Sequence, residues 1–268
     1  MIPVFFTLAL LATFQPAPVA AHPGASSAID HYSHELEQAP QDQGLYIRRG
    51  IAYSNDGQYD LALADFKQAK KLGEPIMVSF NLGVLHYRRG ELEIARDYFD
   101  EYLEVFPDHA PCLEYRARLL RDMGDQAGSV ADFQRFFELQ ERPNPGHYIS
   151  VSQMLEASGD DGLEQALALL DSGNAKLGIT PQLQKHAMQL ELQRDRPDLA
   201  IERLETLEPM LGKSPDWKVE MAELRLLTGE KEAARQLLQQ ASAQLDSLRK
   251  TPARIALQER IAVLEQGD

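Results

Sequence analysis

Small residues, turn glycines and aromatic residues recur about every 34 residues through the first half of this chain. Residues 81–107 hold one clear copy of the pattern, and the same spacings occur upstream and downstream of it. The recurring positions are Gly50, Gly83 and Ala117; Gly57, Gly90 and Gly124; Ala62 and Ala95; and Phe66, Phe99 and Phe133. A unit this short cannot bury its own apolar face, so neighbouring units must stack into a continuous core. The repetition therefore predicts an array of helical units.

Each copy is expected to form two helices, here named helix A and helix B, joined by a tight turn. Gly57, Gly90 and Gly124 can take the left-handed backbone conformation that ends helix A. The small residues lie where the two helices touch, because a larger side chain would push them apart. The phenylalanines are expected to fill the gap between neighbouring copies, as core residues.

The first copy, about 43–76, resembles the tetratricopeptide repeat, and two further copies follow it. The resemblance is carried in the first copy by Gly50, Tyr53, Gly57, Ala62, Phe66, Ala69 and Pro75. His86 stands where the second copy would usually have Tyr, and Ser129 where the third would have Ala. The resemblance implies an all-α fold, a right-handed superhelical solenoid of antiparallel helix pairs with N- and C-terminal capping helices.

The resemblance divides the chain into five segments. We expect a signal peptide at 1–21, a tail and capping helix at 22–42, and three clear repeats at 43–143. Degenerate repeats would fill 144–248, and a C-terminal capping helix 249–268. Ser27 and Asp30 fit a capping box at the start of the first capping helix.

The first residues predict export to the periplasm or secretion. Residues 4–14 form an apolar core far shorter than the roughly 20 residues of a membrane-spanning helix. Small residues Val19 and Ala21 suit cleavage after Ala21, although no Lys or Arg precedes the apolar core. After cleavage we expect no membrane insertion; the alternative is an uncleaved anchor.

Composition and motifs argue for a binding protein. The net charge of −14 disfavours general binding to nucleic acid or anionic membranes, although a local basic patch remains compatible with it. The sequence has no Gly-rich phosphate loop, GxSxG, HExxH or paired CxxC. We therefore expect neither catalysis nor a cofactor. Cys112, the only cysteine, is expected to be a small packed hydrophobe.

In the resembled family the A helices line a concave groove that holds a protein or peptide partner. Carried over position by position, the groove residues would be Ile47, Ile51, Ser54, Asn55, Met77, Phe80, Val84, Tyr87, Arg88, Glu114, Arg118 and Arg121. The groove would have an apolar and aromatic floor with arginines at one end. It would suit a segment with apolar anchors and a carboxylate, which Arg can bind bidentately.

Two alternatives bear on the groove. The arginines of the A helices (Arg48, Arg49, Arg88, Arg89, Arg116, Arg118 and Arg121) could instead pair with the acidic B helices. The family's variant that clamps a carboxylate with Lys and Asn is disfavoured, because Ile47 and Ile51 occupy two of its positions and only Asn81 matches.

Histidines suggest a second function, that of a copper-handling accessory protein. Cleavage after Ala21 would place His22 at the N-terminus, where its amino group and imidazole could bind copper together. His31 and His34, about one turn apart, could add ligands. The simpler interpretation is a tail residue and two surface histidines.

Overall fold

The computed structural model describes residues 24–157 and 159–266, and every regular element in those ranges is a helix. The predicted signal peptide and His22 lie outside them. The chain divides into two compact units, residues 1–124 and 125–268. The division falls between the two helices of the third expected repeat.

The part of unit 1 that the structure describes, residues 24–124, contains six helices. They are α1 (Ala25–Gln38), α2 (Gln43–Asn55), α3 (Tyr59–Leu72), α4 (Ile76–Arg88), α5 (Leu92–Val105) and α6 (Ala110–Asp122). Helix α2 packs on α3 and α4 packs on α5, as helices A and B of the first two repeats, and α1 packs on α2. The capping box prediction was wrong: α1 begins at Ala25, its N-cap is Gly24, and that cap makes no side-chain hydrogen bond.

Unit 2 contains nine helices within the described residues. They are α7 (Gln126–Leu139), α8 (Pro145–Glu156), α9 (Asp160–Leu177), α10 (Pro181–Gln193), α11 (Pro197–Glu205), α12 (Glu208–Leu211), α13 (Pro215–Leu227), α14 (Lys231–Asp246) and α15 (Pro252–Gln266). The pairs α8–α9, α10–α11 and α13–α14 repeat the A–B arrangement, and α15 packs on α14. The one-turn helix α12 was not foreseen. The all-α class of paired helices is confirmed.

The turns have the backbone that the glycines predicted. Gly57, Gly90 and Gly124 have φ values of +77°, +75° and +85°. Asp195, which stands where a turn glycine is missing, has a φ of +57°. Asp is among the residues that tolerate this conformation, so the turn persists without glycine.

Contact between a glycine of helix A and a phenylalanine of helix B sets the spacing of the first two pairs. A Cβ on Gly50 would lie 2.6 Å from the Phe66 ring, and one on Gly83 would lie 2.5 Å from the Phe99 ring. Both rings are fully buried, as is Phe133 in unit 2, which confirms the predicted core role. Cys112 is buried too.

His86 and His109 lie at the ends of A helices in unit 1. His86 stacks on Tyr98 and bonds the Glu91 carboxylate, so it acts as the aromatic residue that the pattern expects. The pKa of Glu91 is lowered by this bond. His109 is the N-cap of α6, and its Nδ1 accepts a hydrogen bond from the Cys112 backbone N–H at 3.2 Å.

Each helix of the described chain is too short or too polar to cross a lipid bilayer.

Replacing Gly83 by Ala should destabilise the protein by up to about 2 kcal/mol. Overpacking against the buried Phe99 ring costs about 1–3 kcal/mol, whereas Ala in place of Gly in a helix returns about 1 kcal/mol. Urea unfolding of Gly83→Ala, Phe99→Leu and the double variant measures the coupling free energy between the two positions. A coupling near zero, or a stabilised Gly83→Ala, would contradict the contact.

Acid should weaken α6 through His109. Burial lowers the His109 pKa below its ordinary 6.5, and Nδ1 can accept the Cys112 N–H only when unprotonated. The cap contributes about 1 kcal/mol to the free energy of unfolding. This contribution is therefore present above pH 6.5 and is lost as the pH falls through the lowered pKa. In His109→Asn, which caps without titrating, the fall in unfolding free energy from pH 7.5 to 5 should be smaller; an equal fall contradicts this role.

Candidate partner-binding groove

Two adjoining cavities open on the A-helix side of unit 1, and together they are called the groove here. The larger, of about 800 Å³, lies among α1, α2, the start of α3 and the end of α4. The smaller, of about 250 Å³, lies among α2, α4 and α6 and reaches Phe66 of α3. Both are lined by Ile51, Ser54, Asn55 and Arg88. Four shared residues make the two cavities one continuous surface.

Several residues predicted from the family pattern meet in this groove. Ile51, Asn55, Phe80, Val84 and Arg88 all line the smaller cavity. Ile51 is 37% exposed, and Phe80 and Val84 are half-buried. Phe80 also contacts the Tyr102, His109 and Tyr115 rings at centroid distances of 5.0–5.9 Å. The rings hold Phe80 in place, so the groove floor is apolar and supported from behind.

Three other predicted residues have different surroundings. Ile47 is half-buried and packs against the core cluster of α3 and α4. Met77 is exposed and lines neither cavity. Tyr87 donates its hydroxyl to Asp122 at 2.6 Å, and burial together with that bond raises its pKa to about 12. Tyr87 therefore ties α4 to α6 as a neutral phenol.

Arg118 and Arg121 lie beside carboxylates of their own helix. Arg118 pairs with Glu114, one turn away, and its guanidinium lies 5.8 Å from the Tyr115 ring centre. Arg121 pairs with Asp122 at 3.0 Å. Neither lines the two cavities. Their predicted binding role therefore stays a prediction.

Two pairs of consecutive arginines, Arg48–Arg49 and Arg88–Arg89, are called the arginine doublets here. One arginine of each doublet lines the groove, and the other contacts carboxylates of the B-helix side. Consecutive residues on a helix point about 100° apart, so one residue of a doublet can face each side. Arg49 binds Asp65 of α3 through two hydrogen bonds of 2.7 Å, and Asp65 is buried. Arg89 binds Glu91 at 2.9 Å and Asp60 at 3.3 Å. The pairing with B-helix carboxylates considered above thus applies to the second arginine of each doublet.

The first arginine of each doublet lines the larger cavity. Arg88 Nη1 donates to two neutral acceptors, Ser54 Oγ at 3.1 Å and Asn55 Oδ1 at 2.8 Å. The Arg48 guanidinium lies 5.8 Å from the centre of the Tyr32 ring on α1. Both arginines are exposed, and no Asp or Glu of the described part of the chain lines the cavity.

Cavities of unit 2 differ in charge. One of about 440 Å³ contains Arg225 together with Glu205, Glu208 and Glu230, and Arg225 bonds Glu205 and Glu230. Another of about 260 Å³ contains Arg203 with Glu191 and Glu202, and Arg203 pairs with Glu191 at 3.4 Å. In these cavities the arginine charge is already matched by neighbouring carboxylates.

Sequence reasoning missed part of the groove. Ala28 and Tyr32 of α1, Arg48 of α2 and Tyr59 of α3 all line the larger cavity. The helix expected only to cap the array also forms one wall of the groove. The doublet could have indicated Arg48. Its neighbour Arg49 pairs with the buried Asp65, so Arg48, which points in another direction from the helix, is left to line the groove.

Within the described residues, the histidines proposed as copper ligands form no cluster. His31 pairs with Glu35 and His34 with Glu37, at 3.5 and 3.3 Å, and both histidines are exposed. No group of three or more His, Cys, Asp or Glu suited to a metal occurs within residues 24–157 and 159–266.

Residues 47–110 match the family model described as Tetratricopeptide repeat. Among curated proteins, the photosystem I assembly protein Ycf3 of Acaryochloris marina is 28% identical over 141 residues, which cover 47% of this chain and 85% of that protein.

Solved structures of tetratricopeptide-repeat proteins share the fold. The C-terminal part of such a protein from Cytophaga hutchinsonii has a TM-score of 0.65 at 14% identity, covering 87% of this chain and 94% of that one. YrrB, titled a TPR protein with an unusual peptide-binding site, has a TM-score of 0.53 at 16% identity, with 69% and 95% covered. This chain spans only 45% of the longer yeast Tom70, with a TM-score of 0.50 and 21% identity over 85% of this chain. Residues 47–110 therefore match the tetratricopeptide repeat in sequence, and the described helices share the fold of solved tetratricopeptide-repeat structures.

Proposed function

We propose that this protein is a non-catalytic scaffold or adaptor of the cell envelope that binds a segment of a partner protein in the groove of unit 1. The observation that carries the proposal is the pair of adjoining cavities. They combine an apolar floor of Ile51, Phe80 and Val84 with Arg48 and Arg88, which line the larger cavity. Apolar anchor sites next to a few oriented polar groups are what peptide-binding grooves use.

A peptide segment is favoured over a flat protein surface by the shape of the site. The groove is concave and runs from α1 across α2 and α4 to Tyr115 of α6. Side chains of an extended or helical segment can enter such a groove at regular intervals. A flat surface would reach only its rim.

The comparisons support a partner-holding role. The curated relative is named as an assembly protein, and one structural neighbour is titled by its peptide-binding site. An assembly factor holds components while they associate, which requires a binding surface and no chemistry. We carry over that general role alone, without the relative's photosystem.

Export remains part of the proposal and rests on residues 1–21. If cleavage follows Ala21, N-terminal sequencing of the protein recovered from the periplasm or medium should begin at His22. Recovery of the exported protein with Met1 intact would contradict cleavage and favour the anchor.

Site-specific photo-crosslinking in the native envelope tests the groove itself. A photoreactive residue at Ile51, on helix A, should form a discrete adduct with one partner, because Ile51 lines both cavities. Ile94 on helix B is the matched control, since it is also an isoleucine and is exposed to a similar extent, 47% against 37%.

The same adducts at both positions would indicate contact without use of the groove. No adduct at Ile51 while the protein is folded and exported would contradict the proposed function.

A further inference from the structure

Among the described residues, two arginines and no carboxylate line the larger cavity, in a protein with an excess of acidic residues. The chain has 41 Asp and Glu against 27 Lys and Arg. Other arginines of the A helices pair with carboxylates: Arg49 pairs with Asp65, and Arg116 with Asp100. Arg48 and Arg88 instead line a cavity whose other described lining residues are all neutral. The local charge of the cavity is therefore opposite to that of the chain.

Arg88 is held in position and still has donors to offer. Within the described residues, its hydrogen bonds involve Nη1 alone, which reaches Ser54 and Asn55. A guanidinium has five N–H donors in a rigid planar fork, so Nε and Nη2 remain for a ligand. Holding one nitrogen fixes the plane of the fork, and a fixed fork loses less entropy when it binds.

The remaining walls of the cavity are apolar or aromatic. Ala28 and Tyr32 come from α1, Ile51 from α2 and Tyr59 from α3. The Tyr32 ring, beneath Arg48 at 5.8 Å, limits where that guanidinium can lie. A ligand that fits must bring an anionic group to the arginines and an apolar side chain to these walls.

We infer that the larger cavity binds an acidic segment of a partner protein, with one carboxylate paired to Arg88, a second anionic group near Arg48, and an adjacent apolar side chain between α1 and α2. The inference rests on the proposed function and specifies the chemistry of the segment. A carboxylate accepts two parallel N–H bonds from an arginine fork. Helix α1 is then a wall of the binding site as well as the end of the array.

The test uses the full processed chain and short randomised peptides, presented once with a free C-terminal carboxylate and once as the amide. Wild type should select peptides in which Asp, Glu or the C-terminal carboxylate adjoins an apolar or aromatic residue. In the double variant Arg48→Gln, Arg88→Gln, affinity for those peptides should fall about tenfold or more, the equivalent of one charge-assisted hydrogen bond. Loss of binding to the amides alone would assign the C-terminal carboxylate as the ligand.

Arg96→Gln is the matched control, since Arg96 is exposed on α5 and lies outside both cavities. It makes the same charge change as each single groove substitution, the loss of one positive charge, and should select the same peptides as wild type. Gln at position 88 can still donate to Asn55. If helicity or urea unfolding nevertheless shows that the double variant is unfolded, Ala28→Trp gives a second arm: it fills the cavity, keeps both charges, and should weaken binding of the selected peptides to a similar extent.

Selected peptides without acidic enrichment, or an acidic preference that survives in the double variant or in Ala28→Trp, would overturn the inference while leaving the groove as a peptide site. Selection of no peptide by any folded version, together with no adduct at Ile51, would overturn the proposed function as well.

Discussion

Close contact between a glycine of helix A and a phenylalanine ring of helix B is the constraint on which the rest of unit 1 depends. Gly50 against Phe66 and Gly83 against Phe99 leave no space for even one methyl group. The contact brings each pair close enough for the rings to be fully buried, and it occupies one side of helix A. The opposite side of α2 and α4 is left open to form the groove. Tight packing on one face thus creates the binding surface on the other.

The helix geometry also determines which way the arginines of unit 1 point. Because neighbouring residues of a helix diverge by about 100°, the doublets Arg48–Arg49 and Arg88–Arg89 supply one arginine to each face. Arg49 and Arg89 join helices A and B through Asp65, Asp60 and Glu91. Arg48 and Arg88 face the larger cavity. A protein of net charge −14 can therefore offer a cationic site without an overall basic surface.

The repeat spacing was sufficient to predict the helix pairs and the turn conformations, because these depend on contacts between residues close in sequence. The expected groove residues came from the resemblance to the family. Sequence reasoning failed where distant packing decides. Tyr32 and Ala28 became groove residues through the way α1 packs on α2. In unit 2 the small residue and the aromatic residue of this contact have exchanged helices. Tyr148 lies on helix α8, and Gly173 on α9 provides the space for its ring. A small residue still meets an aromatic ring, but a pattern that expects glycine on helix A does not recognise it.

The most direct test of binding in the groove follows the arginine side-chain NMR signals while the segment captured at Ile51 is titrated into the labelled protein. Binding in the larger cavity should shift the Nε–Hε signals of Arg48 and Arg88 together, with saturation at one equivalent. Those of Arg49 and Arg89, bound to their carboxylates, should stay in place. Shifts confined to Arg49 and Arg89, or spread over the B helices with Arg48 and Arg88 unchanged, would contradict binding in the groove.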